Sequence, residues 1–267
     1  MKLFISSDIE GTCGITAWEE TYQEKNVYWS AYFQEQMTKE VAAACEGAFS
    51  AGFAEVLIKD AHDTARNIIP KLLPKGAELI RGWGSDGWSM MEGLQHGADA
   101  AAFTGYHAAA GCQGSPLAHS FSTTVDTLTI NGERASEFTV NSYTAGFLGV
   151  PVVFISGDAA VCRQAKTIIP NITAVPVLDG KDNSTTSGHP ELAISAIREG
   201  MKQALAGDWR RCQVAMPKDF TVTVRYTTHS KAAFAAVYPG VKRLDSRTVD
   251  FSTEDYREVL RFMHFCV

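Results

Sequence analysis

Two short stretches of this chain carry side chains suited to holding a metal. Asp8 and Glu10 are two residues apart, and so are Asp60 and His62. At that spacing in a strand, side chains point to the same face. A third candidate, His107, closes the run Gly105-Tyr106-His107. Each group follows an apolar, strand-forming stretch, so all five side chains are expected at strand C-terminal ends. In open α/β sheets the crevice outside those ends is where ligands bind. Oxygen and imidazole donors without thiolate suit Zn²⁺, with Mn²⁺ or Co²⁺ as substitutes. Taken singly, each group has an ordinary reading. An Asp-x-Glu pair also serves as a solvated turn or helix cap, and a lone loop histidine is commonly bonded to backbone. Asp60 either orients a ligand imidazole or caps its loop. Their convergence favours the metal.

The elements that must position them follow from pattern. Lys2–Ser7 and residues 55–59 read as buried strands, joined by a helix over 29–51 with apolar residues at three and four and Gly52 close behind. Strands are also expected at 98–104, at 128–130 before the turn Asn131-Gly132, at 151–156 and at Phe220–Tyr226. Helices are expected at 136–148, 191–205 and 254–265, and the polar stretch 178–190 reads as a long loop or lid. Strands alternating with helices predict an α/β fold, a mostly parallel sheet flanked by helices in three layers, with a smaller C-terminal α/β portion. A single domain over 1–267 is expected, the alternative being a subdomain boundary near 180–190. The loop over 81–88 carries Trp83 and Trp88, which suit a substrate wall, a subunit interface or a surface loop equally.

Composition removes several function classes. A net charge of -6 and scattered Lys and Arg argue against a nucleic-acid partner. No apolar run is long enough for a membrane span, and Asp8 and Glu10 interrupt the one at the N-terminus. The six cysteines form no CxxC, which suits reduced thiols and a cytoplasmic protein.

Several motifs occur in a fixed order: Ser7-Asp8-Ile9-Glu10-Gly11, Lys59-Asp60-Ala61-His62, Met91-Glu92-Gly93-Leu94, Gly105-Tyr106-His107-Ala108, Ala118-His119-Ser120 and Asn131-Gly132-Glu133-Arg134-Ala135-Ser136-Glu137. With them the chain resembles the DppA-type D-aminopeptidase family of binuclear zinc peptidases, closely to about Asn171 and loosely beyond. The resemblance implies two Zn²⁺ held by Asp8, Glu10, His62, His107 and Glu137, with Asp8 bridging. It implies a catalytic role outside the metal shell for His119, which by its residues alone reads equally well as a buried, hydrogen-bonded histidine. Glu137 rests on the resemblance alone. Glu133 competes with it, and an acid in the first turn of a helix has an ordinary explanation in the helix dipole. Three carboxylates against a formal +4 leave such a site net positive by one, which favours an anionic nucleophile and a developing oxyanion.

The implied activity is hydrolysis, by metal-activated water, of short peptides or amino-acid amides with a free N-terminal, D-configured residue. The implied assembly is a ring-like homo-oligomer. No further acid stands out for proton transfer, although Glu133 and Glu92 stay open. The chain departs from the family at Val177-Leu178-Asp179-Gly180-Lys181-Asp182-Asn183-Ser184, one residue shorter and less basic, which bears on D-specificity if that stretch touches substrate. Two other classes use similar ligands: a binuclear phosphoesterase, for which the sequence offers no Arg or Asn cluster, and a non-catalytic metal- or ligand-binding module, which would not need His119.

Overall fold

A computed structural model describes residues 1–22 and 27–267. In chain order the first half contains β1 (Lys2–Ser7), α1 (Val27–Ser50), β2 (Glu55–Asp60), β3 (Ala77–Ile80), β4 (Ala100–Tyr106), β5 (Val125–Ile130), β6 (Glu133–Arg134) and α2 (Glu137–Phe147). The second half contains β7 (Val152–Asp158), α3 (Ala159–Ile168), β8 (Thr173–Lys181), β9 (Ser184–Ser187), α4 (Pro190–Ala206), β10 (Phe220–Tyr226), α5 (His229–Ala235), β11 (Lys242–Arg243), β12 (Thr248–Thr253) and α6 (Tyr256–Cys266).

The main sheet has seven strands in the order β3-β2-β1-β4-β7-β8-β9, all parallel except the β8–β9 pair. Its central strands are apolar on both faces, Leu3, Phe4 and Ile5 on β1 and Ala100 to Phe103 on β4 being fully buried. That is the pattern of a sheet covered twice. Right-handed crossovers set the layers. The β1-to-β2 step and the β4-to-β7 step run in opposite directions across the sheet, so α1 and α2 lie on opposite faces. α4 packs alongside α1, and α3 beside α2. The reversal falls between β1 and β4, which makes the ends of those two strands the switch point where α/β sheets bind ligands.

A second, five-stranded antiparallel sheet has the order β11-β12-β10-β5-β6. It takes β5 and β6 from an excursion between β4 and α2, so the smaller portion is not purely C-terminal. β10 alternates buried and half-buried residues along its whole length, as befits a sheet with one packed face. α5 and α6 cover it over a second apolar core of Val222, Val224, Phe251 and Phe262. α2 lies between the two cores: its Tyr143 and the following Leu148 pack against both. Tyr256 of α6 donates a hydrogen bond to the Val140 carbonyl of α2, at 2.6 Å.

The 178–190 stretch is not a loop. Its residues complete β8 and form β9, a hairpin turning at Asp182, whose φ is +52°. β9 is an edge strand of Ser and Thr with no apolar face, so period-two hydrophobicity has nothing to register. The hairpin packs on the segment after β1, where Thr16 and Thr185 share a hydroxyl hydrogen bond of 2.5 Å. Among the described residues, none from 178–190 lines the cleft discussed below.

Candidate metal centre

Asp8 and Glu10 follow β1, His62 follows β2, and His107 follows β4, so adjacent parallel strands deliver all four to one rim. The fifth residue, Glu137, opens α2. Ser136 caps that helix, its side chain accepting from the Thr139 amide at 3.2 Å. The cap fixes the direction of the first turn and aims Glu137 into the rim. Asp8, Glu10, His62, His107 and Glu137 are all at least 96 % buried.

Two glycines permit this crowding. Gly105 adopts a φ of +69°, and a Cβ there would stand 2.1 Å from the Asp8 carbonyl oxygen. A Cβ on Gly11 would fall 1.8 Å from the Tyr106 carbonyl oxygen. Beneath the rim, the Ser6 hydroxyl donates to the Met90 carbonyl at 2.9 Å. Its one proton spent, Ser6 accepts from the Tyr106 hydroxyl at 2.7 Å, and Tyr106 in turn accepts from Asn141 at 3.0 Å. This buried chain ties β1, β4 and α2 together.

The donor atoms fall into two sets that share Asp8. Asp8, Glu10 and His62 each place one donor atom within 4.8 Å of the others, and so do Asp8, His107 and Glu137. His62 Nδ1 lies 3.4 Å from Asp8 Oδ1 and 3.1 Å from Glu10 Oε1. His107 Nε2 lies 3.4 Å from Asp8 Oδ2 and 3.5 Å from Glu137 Oε2. His107 donates through Nδ1 to the Ala108 carbonyl at 3.0 Å, which turns Nε2 toward the carboxylates.

The electrostatics suit a cation. Three buried carboxylates meet at one point, and among the described residues their ion-pair partners are all histidines. Burial works against charging His62 and His107, yet Glu10 and Asp8 around the first and Glu137 and Asp8 around the second lift both well above the ordinary histidine range. Burial likewise pushes the acids up, but the imidazoles hold Asp8 below its usual range and Glu137 down at about 2. Glu10 Oε2, His62 Nε2 and His107 Nε2 are buried without a hydrogen-bond partner. Buried polar atoms normally have partners, so orphaned atoms on three members of the cluster fit a metal centre.

His119 joins the site from the loop before β5. Its Nδ1 donates to the Leu117 carbonyl at 3.0 Å, and Nε2 faces Glu137 Oε1 at 3.4 Å and Glu10 Oε1 at 3.9 Å. With Glu10 and His107 it makes a third group of metal-capable donors. A cleft of about 380 Å³ opens above, lined by Tyr22, Trp83, Met90, Phe121 and the α6 residues Met263 and His264 as well as Asp8, Glu10, His62, His119 and Glu137. Phe121 donates its amide to Glu137 Oε1 at 2.7 Å and holds that carboxylate in place.

Other residues singled out by the sequence fall elsewhere. Asp60 is the loop cap: its carboxylate accepts from the Asn67 and Ile68 amides at 2.6 and 2.8 Å, while Asn67 also donates to the His62 carbonyl. Glu133 is exposed on β6, and Glu92 is paired with Lys59 at 2.9 Å. Trp88 is buried in the second core under Arg257, so of the two loop aromatics only Trp83 reaches the cleft. Asp158 carries a role that sequence reasoning missed. It caps α3 through the Val161 amide and reaches back to the Ala108 amide at 2.5 Å, bracing the residue after His107. An Asp opening a helix directly after a strand was the available signal.

Known proteins match this chain along its length. The family model described as D-aminopeptidase, peptidase family M55, matches residues 1–265. The D-aminopeptidase of Bacillus subtilis (strain 168) is 29% identical over 265 residues, 98% of this chain and 95% of that protein. The solved structure described as Zn-dependent D-aminopeptidase DppA from Bacillus subtilis, a self-compartmentalizing protease, superposes with a TM-score of 0.91 at 28% identity, over 98% of this chain and 95% of that one. The order of motifs, the site at the switch point and these matches agree: the chain belongs to the D-aminopeptidase family of peptidases.

Proposed function

We propose that this protein is a zinc-dependent aminopeptidase that hydrolyses short peptides or amino-acid amides bearing a free N-terminal, D-configured residue. The observation that carries this reading is the pair of donor sets sharing Asp8. Glu10 and His62 would complete one site, His107 and Glu137 would complete the other, and Asp8 would serve both. Two zinc ions bound there supply Lewis-acid polarisation of a carbonyl and a water of lowered pKa. The similarity to a protein described as Zn-dependent supports zinc, and the oxygen and imidazole donors also admit Mn²⁺ or Co²⁺.

The chain's own residues supply the rest. His119 keeps its Nδ1 proton on the Leu117 carbonyl, so Nε2 is free to take a proton and pass it to the leaving amine. Trp18 stands edge-on to His119 at 5.1 Å and Tyr22 lies 5.6 Å from the His62 ring, so aromatic side chains flank both imidazoles. A peptide's free ammonium is attracted by the buried carboxylates at the cleft floor. The described residues lining the cleft include neither Lys nor Arg, which disfavours a phosphoester substrate.

The chain works as a single metallopeptidase domain, since β5 and β6 of the smaller sheet are threaded between two elements of the larger one. It assembles as a ring-like homo-oligomer. The exposed apolar start of α1, Val27, Tyr28, Trp29 and Tyr32, offers a surface for a second copy, and a similar protein is described as self-compartmentalizing. Six free cysteines suit the cytoplasm, and no helix of the described residues is long and apolar enough to cross a membrane.

A panel of D- and L-aminoacyl amides beside a phosphodiester, with zinc and after chelation, tests the proposal. Zinc-dependent cleavage of the D-aminoacyl amides is expected. Cleavage of the phosphodiester alone, or of nothing, would contradict it.

A further inference from the structure

We propose that Trp83 is a specificity-determining platform for the part of a peptide beyond its scissile bond. This rests on the peptidase reading above. Trp83 is 41% exposed, yet it is held from several sides. Its indole N–H donates to the Asp63 carbonyl at 2.7 Å. The Lys59 ammonium lies 4.4 Å from the centre of its ring. Lys59 also donates to the carbonyl of Gly82, the residue before Trp83, and pairs with Glu92 at 2.9 Å. Glu92 accepts from the amide of Gly84, the residue after it, at 3.0 Å.

Lys59 is fully buried on β2, a costly place for an ammonium. The ion pair it forms with Glu92 brackets Trp83 through both chain neighbours. A half-exposed indole fixed in this way has lost its conformational entropy before any ligand arrives, which is what a binding surface gains from preorganisation. The Lys59 charge against the ring makes it a poor partner for a second cation. The face left open therefore suits an apolar side chain.

Its position says which part of the substrate it meets. The aromatics beside His119 and His62 are Trp18 and Tyr22. Trp83 hangs instead from Asp63, one residue past His62. Trp83, Ser89 and His264 line both the main cleft and an adjoining pocket of about 150 Å³ that contains none of the five ligand candidates. A peptide anchored by its amine at the carboxylates passes Trp83 on its way to that pocket.

The test compares two substrates with the same N-terminal D-residue, one its simple amide and the other a tripeptide with Leu after the scissile bond. In Trp83→Ala the tripeptide KM rises about 3- to 10-fold, kcat is held, and the amide's kinetics shift by less than about twofold. Trp83→Phe restores most of the tripeptide affinity. Glu92→Gln, which loosens the bracket, gives an intermediate rise in tripeptide KM with the amide again little changed. Equal shifts for both substrates, or no shift, would overturn the platform. So would loss of the oligomer in Trp83→Ala, which would make the residue an interface contact. Failure of the wild type to cleave either substrate would overturn the peptidase reading and the platform with it.

Discussion

His119 lies flat against His107, with ring centroids 4.3 Å apart and planes within 6°. The two imidazoles are tied differently: His107 Nε2 faces Asp8 and Glu137 from a fully buried position, whereas His119 sits at the edge of the cleft. Stacked histidines with different exposure suit different tasks, one fixed as a ligand and one free to carry a proton. In His119→Ala, metal content should stay near normal while turnover falls about 10²–10⁴-fold. His62→Ala and His107→Ala should lose metal and activity together. Loss of metal from His119→Ala would make it a ligand, in keeping with the third donor group it forms with Glu10 and His107.

Glu40, which does not line the cleft, predicts a pH dependence of stability. It is buried on α1, where Oε1 accepts from the Cys13 amide and from Gln36, and Oε2 has no partner. Burial raises its pKa to about 7, the two hydrogen bonds only partly opposing the shift. A carboxyl raised in the fold holds its proton more tightly there than in the unfolded chain. Its contribution is therefore favourable at acid pH and is lost as pH rises from about 4.5 to about 7, a loss of about 3 kcal/mol. The stability of Glu40→Gln relative to wild type should improve across that window and level off above it. Chemical denaturation of both proteins at pH 5 and pH 8 reads the difference, and an unchanged difference would rule out this titration.

Tyr106→Phe tests the chain beneath the rim. It strips a proton donor from Ser6 and an acceptor from Asn141, both buried. Leaving such groups unmatched costs about 1–3 kcal/mol, so a lower denaturation midpoint is expected at unchanged metal stoichiometry.

Gly105→Ala should do more than destabilise. The added methyl meets the Asp8 carbonyl in a left-handed backbone conformation, which costs of order 1–3 kcal/mol before the clash is counted. Relief requires Asp8 to move, so metal affinity should fall together with stability. Calorimetric metal titration that matches wild type would show that Asp8 tolerates the displacement.

Much of this was legible in residue order. The parallel strands announce themselves because both of their faces are buried, and ligands two apart at strand ends need only the local pleat to converge. Glu137 was not legible from spacing. Whether Glu133 or Glu137 enters the site depends on where α2 begins and which core its first turn meets, and Glu133 is exposed on β6. The second sheet pairs β5 with β10, roughly ninety residues apart in sequence, and no local pattern encodes that partnership. Trp83 and Trp88 look alike in sequence. Only tertiary packing sends one to the cleft and the other under Arg257.

The shared carboxylate of Asp8 is the most direct test of the account. Asp8→Ala, its fold checked by circular dichroism, removes a donor from both sets at once. Elemental analysis of the purified variant, with D-aminoacyl amide hydrolysis measured on the same sample, should find the wild type holding two zinc ions per chain and Asp8→Ala holding less than one, with hydrolysis abolished. Two zinc ions per chain in Asp8→Ala, or wild-type turnover without them, would contradict a bridged two-metal centre.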